Sequence, residues 1–413
     1  MNPPALSPLQ LHTLSQLAYL DVVPAMEENG VVTVGSMARY YLRHPLGRAY
    51  LAARFGDIPQ EFELWKQFLS MDLIPFRDWI VTDILNDNAP RQSGFYGSSF
   101  ISPGGQRVIA FRGSELLGNP LYRNDYMADV SLAYVVPTPQ QAMVDEYWRR
   151  FPIGRNEQIY LTGHSLGGNL ALHGAIAAPA HLQNRIVSTY AFNAPGFSDE
   201  YIEQYKDAIE AVRPRIFLVQ NELDIVSSLL HNVKAPLVVE SLYIPSEEEN
   251  PTIGQIMYPH SNFMFKISES GQFVPAVSDK KCRFCRLSHT LTSLLLLLPR
   301  TLRKGIAETV LDALYAVPDP KKARRYMLEA ATKYVAHQDL FTKATHAGLG
   351  AMIYAAQLME QDATSGQLYH DILEKEEVSP FPALSRALLL LVEAVEFTHK
   401  KPIEVSLRGT QLV

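Results

Sequence analysis

The chain has 413 residues, of which 47% are hydrophobic and 19% are charged, and its formal net charge is −6. This composition is that of a folded protein with a sizeable core, and it excludes a largely disordered chain. The negative net charge excludes a strongly basic protein that grips nucleic-acid phosphates, so we expect no nucleic-acid partner.

The chain contains only two cysteines, Cys282 and Cys285, which excludes a disulfide framework. Their Cys-x-x-Cys spacing lacks the second pair that a zinc site needs, so we interpret them as incidental thiols and expect no metal or cofactor. The first residues lack a basic segment and a continuous apolar one, which predicts a cytoplasmic protein or export without a classical signal peptide. The aliphatic run Leu294–Leu298 is far shorter than the ~20 residues that cross a bilayer, so no transmembrane helix is predicted.

The N-terminal part of the chain favours helices. Periodic apolar positions in "SPLQLHTLSQLAYLDVV" and "FELWKQFLSM" predict a helical extension over residues 1–84. The following "GFYGSSFISPGGQRVIAFRGS" predicts two antiparallel strands, because a Pro-Gly-Gly turn joins its two apolar halves.

The central part alternates short apolar runs with helix-like segments. From residue 106 the runs "RVIAF", "QIYLT", "VSTYAF", "RIFLVQ" and "LVVESLYI" are separated by amphipathic stretches. This alternation predicts β-α-β crossovers and a mostly parallel, buried sheet, hence an α/β domain over residues 85–277. After residue 278 the strand signals fade, and residues 278–413 are predicted to form a C-terminal helical region.

The segment "YLTGHSLGGNLALHGA" carries the strongest chemical signal. Its Gly-x-Ser-x-Gly pentapeptide lies between a predicted strand and a predicted helix, the context in which a strained turn exposes a nucleophilic serine. Ser165 is therefore the candidate nucleophile, and the N–H of Leu166 at the helix start is a candidate oxyanion donor. The competing interpretation is a glycine-rich turn that only packs closely.

A serine nucleophile needs an acid and a base, which follow it in the order Asp or Glu, then His. Asp224 directly follows the strand candidate "RIFLVQ" and is the candidate acid. Glu222 is its nearest rival, and Asp199 is expected to cap the next helix.

Four histidines compete for the role of base. His260 lies in a loop-like segment after the last strand candidate and is the preferred base. His289 is the second choice, and His231 is only seven residues past the acid. His164 precedes the nucleophile and should point toward the sheet, so we expect a buried, hydrogen-bonded side chain there.

A second oxyanion donor should come from an earlier turn between a strand and a loop. The segment "VIAFRGSELLG" provides one, in which Gly113 allows close approach of the backbone and Ser114 offers its N–H and hydroxyl. The alternative is an ordinary turn that ends a strand.

These motifs carry a resemblance. The segments "FRGS", "NDYMADV", "GHSLGG", "FNAPGF", "NELDIV" and "HSNF" occur in an order similar to class 3 (fungal-type) lipases and their poorly characterised bacterial lipase-like relatives. The resemblance covers about residues 85 to 275 and implies an α/β-hydrolase fold that hydrolyses carboxylic esters, commonly acylglycerols or phospholipids.

Residue by residue, the resemblance places Ser165, Asp224 and His260 on the nucleophile, acid and base of that family, and Ser114 and Leu166 on its oxyanion positions. Two departures stand out, since "FRGS" replaces the commoner "FRGT" and the helical tail has no counterpart in the fungal enzymes.

The sequence thus predicts a serine hydrolase, a lipase or phospholipase that acts on acyl lipids through an acyl-enzyme. A soluble short-chain carboxylesterase or thioesterase is an alternative, because the Gly-x-Ser-x-Gly turn does not indicate the shape of the substrate pocket. A non-catalytic binding protein with a hydrolase fold is an alternative of another class. Loops 115–125 and 227–259 are candidate lids, on length and mixed composition alone.

A basic segment surrounds the leucine run. Residues 280–325 hold eleven Lys or Arg against three acidic residues. The favoured interpretation is a core helix with solvated charged ends. The alternative is a peripheral contact with an anionic membrane surface, because basic side chains lie beside aliphatic ones, and it would suit a lipid substrate.

Overall fold

The computed structural model describes residues 4–55, 59–87, 93–114, 123–155, 157–243, 257–277 and 283–315. The described residues up to Tyr243, together with Tyr258–Ser288, belong to one compact unit, and those from His289 onward belong to a second.

A single seven-stranded sheet organises the described residues of the first unit, with its strands in sequence order. The strands are β1 (Ile80–Asp87), β2 (Phe95–Ile101), β3 (Gln106–Phe111), β4 (Gln158–His164), β5 (Ile186–Phe192), β6 (Ile216–Asn221) and β7 (Leu237–Val239). The first three strands pair antiparallel, and β3 to β7 are parallel neighbours. The carboxyl ends of the five parallel strands therefore meet at one edge of the sheet.

The described residues also form helices. They are α1 (Pro8–Leu17), α2 (Val34–Arg43), α3 (Pro45–Phe55), α4 (Pro59–Gln67), α5 (Arg123–Ser131), α6 (Pro139–Arg150), α7 (Leu166–Ile176), α8 (Ala180–Gln183), α9 (Asp199–Gln204), α10 (Lys206–Val212), α11 (Arg283–Leu296) and α12 (Arg300–Tyr315). A π-helical turn (Phe68–Asp72) extends α4, and short 3-10 turns include Val226–Ser228 and Tyr258–His260.

Local sequence explains where several of these helices begin. Ser7 caps α1 in a capping box with Gln10, and Pro8 occupies the first helical position, where a missing N–H costs nothing. Thr138 and Gln141 cap α6 in the same way. Both starts satisfy backbone N–H groups that would otherwise lack an acceptor.

The core lies on both faces of the sheet. On one face the N-terminal helices pack against it, and Leu11, Leu14 and Leu17 of α1 share a buried cluster with Val108 and Tyr160. On the other face α6 and α7 contact the central strands. This three-layered arrangement around a mostly parallel sheet is the α/β-hydrolase fold that the sequence predicts.

Two details differ from the sequence prediction. Strand β1 (Ile80–Asp87) was not predicted, because its sequence "IVTDILND" lacks the regular apolar–polar alternation that indicates a strand. It begins inside the segment assigned to the N-terminal extension. The division into residues 1–84, 85–277 and 278–413 stays a prediction, and its last part lies outside the described residues from 316 onward. No described helix is both long and apolar enough to cross a bilayer.

Candidate active site

Ser165 lies on the sharp turn between β4 and α7. Its backbone adopts φ 58° and ψ −134°, a strained conformation for a residue that carries a side chain. The Ser165 N–H donates to the carbonyl of Phe192 on β5 at 2.9 Å, which holds the turn against the neighbouring strand. The turn therefore projects the hydroxyl beyond the carboxyl ends of the parallel strands.

Glycines make this turn possible through close backbone contacts. A Cβ atom at Gly163 would lie 2.1 Å from the carbonyl oxygen of Gly167, and one at Gly167 would lie 2.2 Å from that of Phe111. A Cβ at Gly113 would lie 2.9 Å from the Cβ of Ser165. Strand β4, helix α7 and the segment after β3 therefore approach each other more closely than any larger residue allows.

Gly167→Ala is expected to lower the free energy of unfolding by about 3 kcal/mol, because the added methyl group meets a backbone carbonyl that cannot move alone. Gly174→Ala, in the same helix, is the matched control. A Cβ there would lie 3.3–3.5 Å from its neighbours, so the change should stay within about 1 kcal/mol. Equal thermal denaturation of both variants would contradict this account of the turn.

The structure brings the predicted nucleophile, base and acid together. His260 Nε2 lies 2.8 Å from Ser165 Oγ, and His260 Nδ1 lies 2.9 Å from Asp224 Oδ1. The Asp224 side chain is fully buried, and its two oxygens also accept the N–H groups of Val226 at 3.1 Å and Ser227 at 3.0 Å. These donors favour the carboxylate, so the Nδ1 atom of His260 carries the proton that the acid accepts.

The rival acids lie elsewhere. The Glu222 carboxylate accepts the N–H of Ser241 at 3.1 Å. The prediction that Asp199 caps α9 is wrong, because Ser198 is the N-cap and Asp199 is the first helical residue. The N-cap hydrogen bond is made by Ser198, whose hydroxyl oxygen accepts the N–H of Tyr201 at 3.4 Å.

The rival histidines also lie away from the nucleophile or outside its unit. His231 lies 3.4 Å from Asp199, and His289 is an exposed residue of α11. His164 is buried and hydrogen-bonded, as predicted, and it bonds to Tyr19 and to the backbone of His260. The candidate base is therefore the single histidine that contacts Ser165 among the residues that the structure describes.

The two predicted oxyanion positions flank the nucleophile. Leu166 is the first residue of α7, so its N–H has no acceptor within the helix. Ser114 follows Gly113, where a Cβ atom would lie 2.9 Å from the Cβ of Ser165. The helix start and the segment after β3 therefore lie close to the serine, and the oxyanion role of Leu166 and Ser114 stays a prediction.

Asp129 of α5 is a site residue that the sequence reasoning missed. Its Oδ2 atom accepts the hydroxyl of Ser114, and its Oδ1 atom is buried and accepts no hydrogen bond from the described residues. Burial raises the pKa of the Asp129 carboxyl from its ordinary 3.8 to about 7, although the Ser114 hydrogen bond and the positive charge of His260 oppose the rise. The signal was the "NDYMADV" segment, which sequence spacing alone did not connect to Ser114.

Asp129→Asn is expected to remove a pH dependence of stability. The folded protein holds the Asp129 proton up to a pKa of about 7, whereas the unfolded chain releases it near pH ~4. Stability therefore falls as the pH rises between these two values, by about 1–3 kcal/mol in wild type relative to the variant. Chemical denaturation across this window measures the difference, and the exposed Asp78→Asn is the control; parallel wild-type and Asp129→Asn curves would contradict the prediction.

The remaining predicted features lie partly outside the described residues. The candidate lid 115–125 is described only from residue 123, where α5 begins, and the candidate lid 227–259 contains β7 and is not described over 244–256. Within the described ranges, no group of three or more His, Cys, Asp or Glu side chains could hold a metal ion.

Comparisons with known proteins returned a family model and a solved structure. A family model described as Mbeg1-like matches residues 76–316, more than half of the chain. A solved structure described as the crystal structure of M37 lipase is similar with 16% sequence identity and a TM-score of 0.27, over 54% of this chain and 70% of that one. Among curated proteins, none matches.

Proposed function

This chain belongs to the Mbeg1-like family, and from that premise, with the hydrogen bonds that join Ser165, His260 and Asp224, we propose that it is a serine hydrolase of carboxylic esters. The observation that carries the proposal is the continuous path from Ser165 Oγ to His260 Nε2 at 2.8 Å and from His260 Nδ1 to Asp224 at 2.9 Å. Three residues that are far apart in sequence meet at the carboxyl edge of the sheet. Their hydrogen bonds join nucleophile to base and base to acid, as nucleophilic catalysis by serine needs.

The proposed reaction begins when His260 Nε2 takes the proton of Ser165 and Oγ attacks the ester carbonyl carbon. Asp224 keeps the proton of His260 on Nδ1 and stabilises the imidazolium that forms. The backbone N–H groups of Leu166 and Ser114 stabilise the negative charge on the carbonyl oxygen.

The acyl-enzyme then forms and is hydrolysed. The tetrahedral intermediate expels the alcohol, which receives the Nε2 proton, and leaves the acyl group on Ser165. A water molecule gives a proton to His260 and attacks the same carbon. The carboxylic acid product is released when the proton returns from His260 to Ser165 Oγ, so the enzyme ends in its starting state.

The proposed substrates are acyl lipids, which would make the protein a lipase or phospholipase. The resemblance of the "FRGS", "GHSLGG" and "HSNF" segments to class 3 lipases supports this choice. Hydrolysis rates for p-nitrophenyl esters from acetate to palmitate, with and without micelles, test it. We expect the rate to increase with chain length and with micelles; a preference for acetate that micelles do not change would favour a short-chain carboxylesterase, and preferred cleavage of acyl thioesters a thioesterase.

The proposal extends to a peripheral contact with anionic membranes through residues 280–325. In the described part of this segment, Arg300 and Lys304 of α12 are exposed, and Leu297, just before α12, is 67% exposed. Each cation near an anionic surface contributes ~1 kcal/mol of binding free energy. We expect co-sedimentation with phosphatidylserine vesicles that exceeds co-sedimentation with phosphatidylcholine vesicles.

The double variant Arg300→Gln, Lys304→Gln should lose about tenfold or more of that binding. The exposed pair Arg149→Gln, Arg150→Gln on α6 is the matched control. Equal binding to neutral and anionic vesicles would instead support a helix with solvated charged ends.

A further inference from the structure

His164 precedes the candidate nucleophile, and both nitrogens of its ring make hydrogen bonds. Its ring Nδ1 lies 2.9 Å from the hydroxyl of Tyr19, and its Nε2 lies 2.8 Å from the carbonyl oxygen of His260. The ring is buried, and its centroid lies 4.8 Å from that of the His260 ring. One imidazole therefore contacts the N-terminal segment on one side and the backbone of the candidate base on the other.

These partners determine which nitrogen of His164 carries the proton. A carbonyl oxygen can only accept, so Nε2 donates to His260 and Nδ1 accepts the hydroxyl proton of Tyr19. Burial holds the pKa of His164 well below its usual range, and the positive charge that His260 acquires lowers it further. The ring is therefore neutral, with a single tautomer that the His260 carbonyl selects and that the Tyr19 hydroxyl stabilises by donating to Nδ1.

The bond on the carbonyl of His260 fixes the base relative to the nucleophile. His164 is covalently joined to Ser165, so its ring ties the backbone of the nucleophile to the backbone of the base. The base itself lies in a short 3-10 turn, Tyr258–His260, outside the seven strands of the sheet. A bond at this carbonyl acts on the same residue whose Nε2 atom must lie 2.8 Å from Ser165 Oγ.

N-terminal residues hold the rest of this loop. Glu61 accepts the hydroxyl of Ser261 at 2.5 Å, and Trp65 packs edge-on against Phe263 with ring centroids 5.4 Å apart. Gln16 donates its amide N–H to the carbonyl of Asn262 at 3.3 Å. The His164 bond completes a series in which each residue from 260 to 263 has a partner from outside the loop.

The segment that carries Tyr19 is itself anchored beside the candidate oxyanion turn. Arg112 Nε donates to the carbonyl of Ala18 at 2.6 Å, and the same guanidinium pairs with Asp21. The Tyr19 hydroxyl lies within 2.3 Å of the position that a Cβ atom at Gly113 would occupy. The position of Tyr19 is therefore coupled to the turn that presents Ser114.

We propose that His164 is a positioning residue for hydrolysis, which keeps the imidazole of His260 aligned on Ser165 through the backbone carbonyl of His260, and that Tyr19 holds the His164 ring in place by donating its hydroxyl proton to Nδ1. The proposal rests on the proposed serine hydrolase function. It assigns the N-terminal helical segment a role in catalysis that neither the nucleophile motif nor the family assignment states.

Three variants test the proposal by their kcat and KM for a p-nitrophenyl ester and by their rate of labelling with a fluorophosphonate. Tyr19→Phe removes one hydroxyl and should lower kcat and the labelling rate about fivefold, with KM unchanged. His164→Phe removes the donor and should lower both about 100-fold, the cost of a misplaced catalytic group. His164→Gln restores an N–H near the Nε2 position and should recover the rates to within about threefold of wild type.

The matched controls use another buried Tyr–His pair among the described residues. His173 Nδ1 lies 2.6 Å from the hydroxyl of Tyr201, and neither residue contacts the three catalytic candidates. His173→Phe and Tyr201→Phe should change thermal stability but not kcat or the labelling rate. Variants are compared below their melting temperatures, and if His164→Phe does not fold, Tyr19→Phe decides.

Each outcome discriminates. Suppose that the wild type is labelled and that Tyr19→Phe has the wild-type kcat and labelling rate, or that His164→Gln reacts as slowly as His164→Phe. Either result would overturn the positioning role and leave the hydrolase function intact. A folded wild type that neither labels nor hydrolyses esters would overturn both. If kcat falls in proportion to the melting temperature, and does so equally in the variants of the His164–Tyr19 and His173–Tyr201 pairs, His164 has only a structural role.

Discussion

Replacing Ser165 by alanine is expected to lower kcat for ester hydrolysis by about 10⁵- to 10⁶-fold. The hydroxyl is the atom that would form the acyl-enzyme, and no other described hydroxyl lies in hydrogen-bond contact with His260. The fold should survive, because the alanine keeps the backbone N–H that donates to Phe192 at 2.9 Å. Steady-state hydrolysis of a p-nitrophenyl ester and a thermal melt measure the two effects.

Ser188→Ala is the matched control for this change. Ser188 is a buried serine of β5 that lies toward the start of the strand, away from its carboxyl end. The control variant should keep the wild-type kcat. Hydrolysis by Ser165→Ala at more than about one-hundredth of the wild-type rate would contradict a covalent role for this serine.

Replacing Asp224 by asparagine is expected to lower kcat by about 10⁴-fold while the geometry stays intact. The amide would donate to His260 Nδ1, so the imidazole proton would move to Nε2. That nitrogen faces Ser165 Oγ at 2.8 Å and could no longer accept its proton. The effect should appear in kcat and in the labelling rate, since both need the same proton transfer.

Glu222→Gln separates this explanation from a loss of negative charge near the site. The Glu222 carboxylate accepts the N–H of Ser241 at 3.1 Å, a bond that an amide oxygen keeps. We expect this variant to stay within about threefold of wild type. If Glu222→Gln were inactive and Asp224→Asn active, the acid would have to be reassigned to Glu222.

Sequence reasoning succeeded where the chemistry is local. The Gly-x-Ser-x-Gly pentapeptide between β4 and α7 predicts both the turn and the place of Ser165 on it, because the strain and most of the close contacts involve residues within a few positions. The alternation of apolar runs predicts the parallel strands for the same reason. The candidate acid and base followed from order along the chain, and the structure places both in hydrogen-bond contact with their partners.

Sequence reasoning failed where partners are distant and their residue types are common. The bond between His164 and Tyr19 joins residues 145 positions apart, and nothing in the N-terminal segment distinguishes Tyr19 from the other tyrosines of the chain. The contact of Asp129 with Ser114 depends on how α5 folds back over the end of β3. Strand β1 was missed because the sheet edge, rather than its own apolar pattern, specifies it.

The most direct measurement of the central claim is the site of covalent modification in the folded wild-type protein. The protein is treated with a fluorophosphonate, digested, and mapped by tandem mass spectrometry. We predict one adduct, on Ser165, that forms in the native protein and not after denaturation or in His260→Ala. An adduct on any other residue, or a native protein that stays unmodified, would contradict the claim that Ser165 is a nucleophile activated by His260 and Asp224.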